Sequence, residues 1–223
     1  MTKRVLIFGG SGPAAVVGHA INDAFRNGHD EYEFAGYLND RERAQEISGF
    51  PVLGGFDDAP RFLEQGYYFL NTVYKIGGFE ERIRRFEAYG IPRERLATFV
   101  HPKAYVAGNV ILAPGCVVMP NASISAGASL GGCCILMVNA SIGHDTKVGD
   151  YCLFTANSCL GAWLTVGDGV WVGMNATVRG KLTIARHAAI GIGAVVTKNV
   201  GERELWIGNP ARFHKMVTDG ISL

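Results

Sequence analysis

The sequence lacks several features that would assign it to a common class of protein. No apolar run reaches the ~18 residues of a membrane-spanning helix, so no membrane span is expected. Basic and acidic residues nearly balance, and a net charge of +1 gives no basis for binding nucleic acid. Residues 1–8 run directly into a predicted strand, without the apolar core and cleavage site of a signal peptide. Together these absences predict a cytoplasmic protein.

Metal-binding and redox cysteine patterns are also missing. The five cysteines form no CxxC pair and no Cys/His set with zinc-ligand spacing, so no metal site is expected. Cys116, Cys134 and Cys152 follow one another at intervals of 18 residues. This spacing predicts that they stack in the interior as small apolar side chains.

A hydrophobic period of six dominates the second half of the chain. Such a period fits neither a helix nor an alternating strand, and it is typical of a hexapeptide β-helix. The third residue after each apolar anchor is mostly Gly, Asn or Asp, the types that accept a left-handed backbone at a corner. Every sixth residue is apolar, in the series Val106, Leu112, Val118, Ile124, Leu130, Leu136, Ile142, Val148, Phe154, Leu160, Val166, Val172, Val178, Ile184, Ile190 and Val196.

These repeats predict a three-sided prism with a dry core. Three repeats of six residues close one coil of 18 residues, and residues 106–196 carry only seven charged side chains. A surface so poor in charge indicates that something else covers part of the prism.

The first hundred residues are organised differently. Residues 3–15 read as a buried strand, a glycine loop and a helix start, and further strands are predicted at residues 33–38 and 67–70. Residues 51–55 are interpreted as a connector, and residues 79–89 as a basic amphipathic helix. The alternation predicts a small Rossmann-like parallel α/β domain over residues 1–98, followed by an all-β domain over residues 99–223.

The glycine loop fits a relaxed dinucleotide-binding pattern. Gly10, Ser11 and Gly12 would let backbone N–H groups approach a phosphate at the start of a helix. Asp40 ends the second strand, where an acid that binds a ribose is expected. A tight strand-to-helix turn explains the same residues equally well. NAD chemistry is not expected, because no second half is available to hold a nicotinamide.

One of the six histidines is a candidate catalytic group. His144 lies two residues after an anchor, so its side chain is expected to point outward, and Asp145 follows it directly. A histidine next to a carboxylate can act as a general base with a defined tautomer. His19, His29, His101, His187 and His214 are interpreted as structural.

The repeat, the glycine loop, the Gly-His-Asp at residues 143–145 and the ending resemble the hexapeptide-repeat sugar acetyltransferases. This family includes sialic-acid O-acetyltransferases and nucleotide-4-amino-sugar N-acetyltransferases. The ending consists of IGIGAVVTK at residues 190–198 and GNPAR at residues 208–212. Similar segments close many β-helices that use acetyl-CoA, and the resemblance covers nearly the whole chain.

This resemblance implies a left-handed β-helix, assembled as a trimer with acetyl-CoA between neighbouring prisms. It implies that His144 is the general base and that Asp145 orients it. The implied cofactor contacts are Gly161, Ala162, Gly173, Met174, Gly191, Ile192, Gly193, Lys198 and Arg212. The residues implied to hold the nucleotide of the sugar are Gly10, Ser11, Gly12, Asn39 and Asp40. In one departure from the family, Pro13 stands where its loop commonly has histidine, which removes two donors and leaves the sugar open.

The favoured function is transfer of acetyl from acetyl-CoA to the amino group of a nucleotide-linked sugar, without a metal. The alternative is O-acetylation of a sugar hydroxyl. A β-helix carbonic anhydrase is disfavoured because its zinc needs several histidines together. A purely structural β-helix is disfavoured by His144 and by the ending of the chain. The sequence does not identify the sugar, the nucleotide, the acyl chain length or the pathway.

Overall fold

The hexapeptide repeats form short parallel strands in three sheets, which we call faces 1, 2 and 3. The computed structural model describes residues 2–40, 45–74, 76–77 and 79–218. Face 1 consists of β7 (Tyr105–Val106), β10 (Ser123–Ile124), β13 (Ser141–Ile142), β16 (Cys159–Leu160), β19 (Thr177–Val178) and β22 (Val195–Val196). Face 2 consists of β8 (Ile111–Leu112), β11 (Ser129–Leu130), β14 (Lys147–Val148), β17 (Thr165–Val166) and β20 (Thr183–Ile184).

Face 3 is the longest of the three. It consists of β6 (Phe99–Val100), β9 (Val117–Val118), β12 (Ile135–Leu136), β15 (Leu153–Phe154), β18 (Trp171–Val172), β21 (Ala189–Ile190), β23 (Glu204–Ile207) and β24 (Arg212–Met216). The last strand, β24, pairs antiparallel with β23, whereas all other pairs in the three faces are parallel. Up to β22 the paired strands lie 18 residues apart, as Ile124 and Ile142 do, whereas Ala189 pairs with Leu205, 16 residues further on. The predicted left-handed β-helix is confirmed.

The predicted anchors form the core of the prism. From Val118 to Val196 all of them are buried, and Phe154 is 0% exposed. Val106 and Leu112 are only partly buried, because they lie in the first coil. The corners have the expected left-handed backbone, with φ values of 58° at Asn121 and 59° at Asn139. The period of six therefore reflects one inward side chain and one sharp corner in every repeat.

The stacked cysteines also lie in this core. Cys116, Cys134 and Cys152 are 0% exposed, and their thiols contact the carbonyl oxygens of the next coil at 3.1–3.2 Å. A hydrogen bond with the Cys134 thiol, together with burial, raises the pKa of Cys116 well above its usual value. All three cysteines are small buried groups, as predicted.

The N-terminal region forms a separate five-stranded sheet with the order β3-β4-β2-β1-β5. Its strands are β1 (Lys3–Phe8), β2 (Tyr32–Leu38), β3 (Glu46–Ile47), β4 (Phe50–Gly54) and β5 (Tyr68–Asn71). Its helices are α1 (Pro13–Arg26), α2 (Ala59–Glu64) and α3 (Phe79–Glu87), with short 3-10 turns at Phe56–Asp58 and Arg93–Arg95.

Two local interpretations of this region need correction. Residues 51–55 are mostly strand rather than connector, because β4 pairs with β2 through Tyr37 and Val52. The sheet is not wholly parallel, since β3 and β4 form an antiparallel pair. Pro51 and Gly54 argued against a strand because both residue types are uncommon in strands, although proline is tolerated near a sheet edge. Beyond β4 lies only the two-residue strand β3.

The N-terminal region packs on face 3 and on the corners at both of its edges, where Cys133 precedes the face and Met119 follows it. Its apolar side chains share one cluster with outward residues of face 3 such as Val117, Ile135 and Leu153. Part of the charge-poor prism is thus covered by the same chain. Because this core is continuous, the division between residues 98 and 99 stays a prediction. Within the described residues, no helix is both long enough and apolar enough to cross a membrane.

Candidate active site

His144 and Asp145 lie at the exposed corner between faces 1 and 2, which we call the His144 corner. Its residues are those that follow the strands of face 1, such as 143–146, 161–164, 179–182 and 197–200. The Nδ1 atom of His144 is 2.8 Å from Oδ2 of Asp145, and their side chains are 47% and 53% exposed. The expected outward direction of this histidine is confirmed.

The contact with Asp145 defines the tautomer of His144. A carboxylate only accepts hydrogen bonds, so the contact requires a proton on Nδ1. In the neutral ring Nε2 is then the nitrogen with the free lone pair, which can accept a proton. The Asp145 backbone has a φ of 56°, and its carboxylate packs over Gly127, where a Cβ atom would meet Oδ1 at 2.4 Å.

Two further side chains lie at this corner, in the two coils that follow the His–Asp pair. The ring of Trp163 lies 4.3 Å from the His144 ring, centroid to centroid, at an interplanar angle of 81°. The Nζ atom of Lys181 lies 5.0 Å from the centroid of the Trp163 ring. Sequence reasoning placed both residues in the corner column but gave them no role. The feature of the sequence that could have singled them out is that each is a bulky residue at a left-handed corner position, where Gly, Asn and Asp are the common types.

Beside His144 the surface consists of backbone. A Cβ atom on Gly143 would lie 2.6 Å from the backbone nitrogen of Ala162, one coil further on. A Cβ atom on Gly161 would meet Gly180 N at 2.4 Å. Among the described residues, no backbone acceptor is paired with the N–H of Ala162. The corner therefore combines a His–Asp pair, an available backbone donor and closely packed main chain.

The residues expected to contact the cofactor divide between two edges of face 1. Gly161, Ala162 and Lys198 lie at the His144 corner. Lys198 is three coils beyond His144, about 14 Å at the usual strand spacing of about 4.8 Å. On face 1 itself, which lies between the two edges, the outward side chains of Ser141, Cys159 and Thr177 carry no charge.

The remaining expected cofactor contacts lie at the other edge, between faces 3 and 1, which we call the Met174 corner. Met174 and Ile192 are 46% and 62% exposed there. The Gly193 N–H donates to the Met174 carbonyl at 2.8 Å, and Gly173 and Gly191 are each packed closely against the following coil. Arg212 lies at the end of the prism near this corner, and its neighbour Ala211 donates to the Val195 carbonyl.

The glycine loop joins the carboxyl end of β1 to α1. Gly10 and Ser11 lie in the loop, and Gly12 ends it with a φ of 85° and open space where a side chain would project. Asn39 fastens the loop, since its side-chain nitrogen donates to the Gly9 carbonyl at 3.1 Å. Pro13 is the first residue of α1, where a missing N–H does not interrupt the helix.

Asp40 already has partners within the chain. Its Oδ1 accepts the Phe56 N–H at 2.7 Å, and its Oδ2 lies 2.9 Å from Arg85 Nη2. Each oxygen retains a second lone pair, so a ribose hydroxyl can still bind. Arg85 is 60% exposed beside the loop, and sequence reasoning missed it because α3 is distant from Asp40 along the chain.

The other coil histidine holds the N-terminal region in place. His187 Nε2 is 3.1 Å from Glu80 Oε1, and Arg203 pairs with the same carboxylate. Burial lowers the pKa of His187, while Glu80 acts in the opposite direction. Across the described ranges, no group of three His, Cys, Asp or Glu side chains is arranged to hold a metal.

Fold and site together define a hexapeptide-repeat β-helix protein with a His–Asp pair at an exposed corner. No family model and no curated protein matches the sequence. Solved structures do. A histidine variant of perosamine N-acetyltransferase from Caulobacter crescentus, in complex with CoA and GDP-perosamine, is similar with a TM-score of 0.82. It is 26% identical and covers 96% of this chain and 98% of its own.

Two further structures have the same architecture. The acetyltransferase domain of PglB from Neisseria gonorrhoeae has a TM-score of 0.83 at 23% identity, covering 96% of this chain and all of its own. WeeI from Acinetobacter baumannii has a TM-score of 0.65 at 20% identity over 96% of this chain and 100% of its own. The resemblance to the hexapeptide-repeat sugar acetyltransferases is thereby confirmed.

Proposed function

We propose that this protein transfers acetyl from acetyl-CoA to the amino group of a nucleotide-linked amino sugar. The observation that carries the proposal is the His144–Asp145 contact of 2.8 Å at an exposed, glycine-lined corner. The similarity to perosamine N-acetyltransferase, whose structure contains CoA and GDP-perosamine, supports both substrate classes. At 26% identity this similarity supports the class of sugar, and the particular sugar is to be identified by experiment.

His144 acts as the general base. The amine nitrogen attacks the carbonyl carbon of the thioester while Nε2 of His144 takes one of its protons. The carbon–sulfur bond then breaks and the proton passes to the departing CoA thiolate. The products are an amide and CoA with a free thiol. Asp145 holds Nδ1–H and stabilises the imidazolium that forms in between.

The N–H of Ala162 suits the role of oxyanion donor. It lies one coil from His144, about 4.8 Å along the prism axis, and no backbone group of the described residues accepts from it. A preorganised donor at this place would stabilise the charge that develops on the carbonyl oxygen. Gly143 packs directly against it, since a Cβ atom on Gly143 would lie 2.6 Å from the Ala162 nitrogen.

The acceptor sugar is proposed to reach His144 from a neighbouring copy of the chain. The N-terminal region contacts face 3 and the corners at both of its edges, whereas His144 lies at the corner opposite face 3. A nucleotide at Gly10–Gly12 would therefore be on the wrong side of its own prism. A homotrimer would bring the glycine loop of one copy towards the His144 corner of another.

The same assembly accounts for the distribution of the cofactor residues. Those at the His144 corner and those at the Met174 corner flank an uncharged face, and a second prism packed on it would create a groove. Acetyl-CoA is proposed to lie there, with its thioester at His144 and its phosphates near Lys198 and Arg212. Sedimentation should show a trimer at micromolar concentration, and a stable monomer would contradict this arrangement.

Incubation of the purified protein with acetyl-CoA and nucleotide-linked sugars tests the activity. A GDP-linked 4-amino sugar is the first substrate, and its matched control carries a hydroxyl in place of the amine. We expect release of CoA thiol and addition of one acetyl group, by mass spectrometry, with the amine. Acetylation of the hydroxyl sugar alone would favour the O-acetyltransferase alternative. No product with any nucleotide sugar, and no binding of acetyl-CoA by calorimetry, would refute the proposal.

A further inference from the structure

Trp163 is an anomaly at its corner of the prism. Its φ of 55° lies in the left-handed region, which is unfavourable for a bulky side chain. Its side chain is 52% exposed and belongs to none of the clusters of buried apolar side chains. The burial of apolar surface therefore does not explain why the chain accepts an unfavourable backbone conformation here.

Two other bulky corner residues do have a structural explanation. Tyr151 has a φ of 57°, and its hydroxyl donates to Glu87 of α3 at 3.0 Å. His187 has a φ of 58° and contacts Glu80 of the same helix. Both fasten the N-terminal region to the prism. Trp163 lies at a different corner, where its ring contacts are His144 and Lys181.

The position of Trp163 relative to the proposed chemistry is specific. It directly follows Ala162, whose N–H is the proposed oxyanion donor, and its ring is 4.3 Å from that of His144. An acyl carbonyl bound between the Ala162 N–H and His144 therefore has the indole beside it. The methyl group of an acetyl must project from this carbonyl, next to the indole.

We propose that Trp163 is a positioning and specificity-determining residue, which holds the His144 ring and restricts the transferred acyl group to a short chain. This inference rests on the proposed function. Asp145 holds the imidazole through Nδ1, and the indole contacts the ring itself, so the two together limit its rotation. Lys181 over the indole ring holds the tryptophan in turn, through a cation–π contact.

Replacement of Trp163 by asparagine separates these roles from folding. Asparagine tolerates the left-handed backbone, so Trp163→Asn should fold at least as well as the wild type. We expect kcat with acetyl-CoA to fall roughly tenfold, less than the ~10²–10⁴-fold of a complete general base, because the imidazole itself remains. KM for acetyl-CoA should change less than about threefold. The ratio of kcat/KM for hexanoyl-CoA to that for acetyl-CoA should rise at least about tenfold, the size of one or two buried methylenes. Trp163→Phe, which keeps a ring, should restore most of both.

A binding measurement separates this inference from the proposed function. The chain has three tryptophans, and acetyl-CoA should quench fluorescence in the wild type but not in Trp163→Phe. Calorimetry should show that both proteins bind acetyl-CoA. If neither protein binds it, the proposed function fails. If both bind it and both are quenched alike, or if Trp163→Asn keeps the wild-type kcat and acyl preference, the role of Trp163 is refuted. Lys181→Asn leaves the indole itself in place, so it should change the acyl preference less than Trp163→Asn.

Discussion

Removal of the imidazole at residue 144 is the most direct test of the proposed chemistry. A general base contributes ~10²–10⁴-fold, so His144→Ala should lower kcat by that factor, equivalent to about 2.7–5.4 kcal/mol in the barrier. The wild-type ring is held at 2.8 Å by Asp145 with Nε2 available, so its full contribution is expected to be lost. Asp145→Asn should cost less, because the imidazole remains and only its tautomer and orientation suffer.

The assay measures thiol release at saturating acetyl-CoA and sugar. KM for acetyl-CoA should change little, since most of its expected contacts lie in later coils. His214→Ala is the matched control, because His214 is exposed in the tail strand β24 and should retain wild-type kcat. Folding should be intact, since His144 is not an inward anchor, unlike Ile142 at 1% exposure. If trimeric His144→Ala kept more than about a third of wild-type turnover, His144 would not be the base.

Three further predictions concern the loop, the core and the contact between the two regions. Gly12→Val should raise KM for the sugar and leave KM for acetyl-CoA unchanged. Gly28→Val is the control, because Gly28 has a similar φ of 88° and lies beyond the other end of α1, and it should change neither KM value. Equal effects of Gly12→Val on both substrates would contradict the loop's role. Phe154→Ala should lower the free energy of unfolding by roughly 3–5 kcal/mol in urea titrations, because it empties a fully buried site, and a loss below 1 kcal/mol would contradict the packing. Burial lowers the pKa of His187 in the folded state below the usual 6.5. The folded protein therefore binds a proton at His187 less readily than the unfolded chain does, and the free energy of unfolding decreases as the pH falls from 6.5 through the folded-state pKa. His187→Asn should therefore lose less stability than the wild type between pH 7 and 5, and identical slopes would refute this.

The β-helix was predictable because its code is local and repeated. Every coil needs an inward apolar side chain every six residues and a residue that tolerates a positive φ at each corner, so errors at single positions do not hide the pattern. The exposure of His144 followed from the same register. The N-terminal region has no such redundancy. Residues 51–55 were misread because Pro51 and Gly54 argue against a strand when only local propensity is considered.

Contacts between distant segments were beyond prediction from the sequence. Arg85 reaches Asp40 across 45 residues, and Glu80 reaches His187 across the boundary between the two regions. Neither pair has a spacing that singles it out among the charged residues of the chain. The edge-to-face contact of Trp163 with His144 was predictable only in part, since the repeat makes positions one coil apart neighbours but does not give the direction of their side chains.

The sequence by itself determined the prism, its corners and the identity of the residue that points out of it beside a carboxylate. It could do so because a hexapeptide repeat ties each position to one face or one corner. Only the tertiary structure decided that the N-terminal region covers face 3 and so lies away from the His144 corner. That arrangement depends on the fit of apolar surfaces, such as Val117 and Ile135 against the N-terminal core, which no period in the sequence encodes.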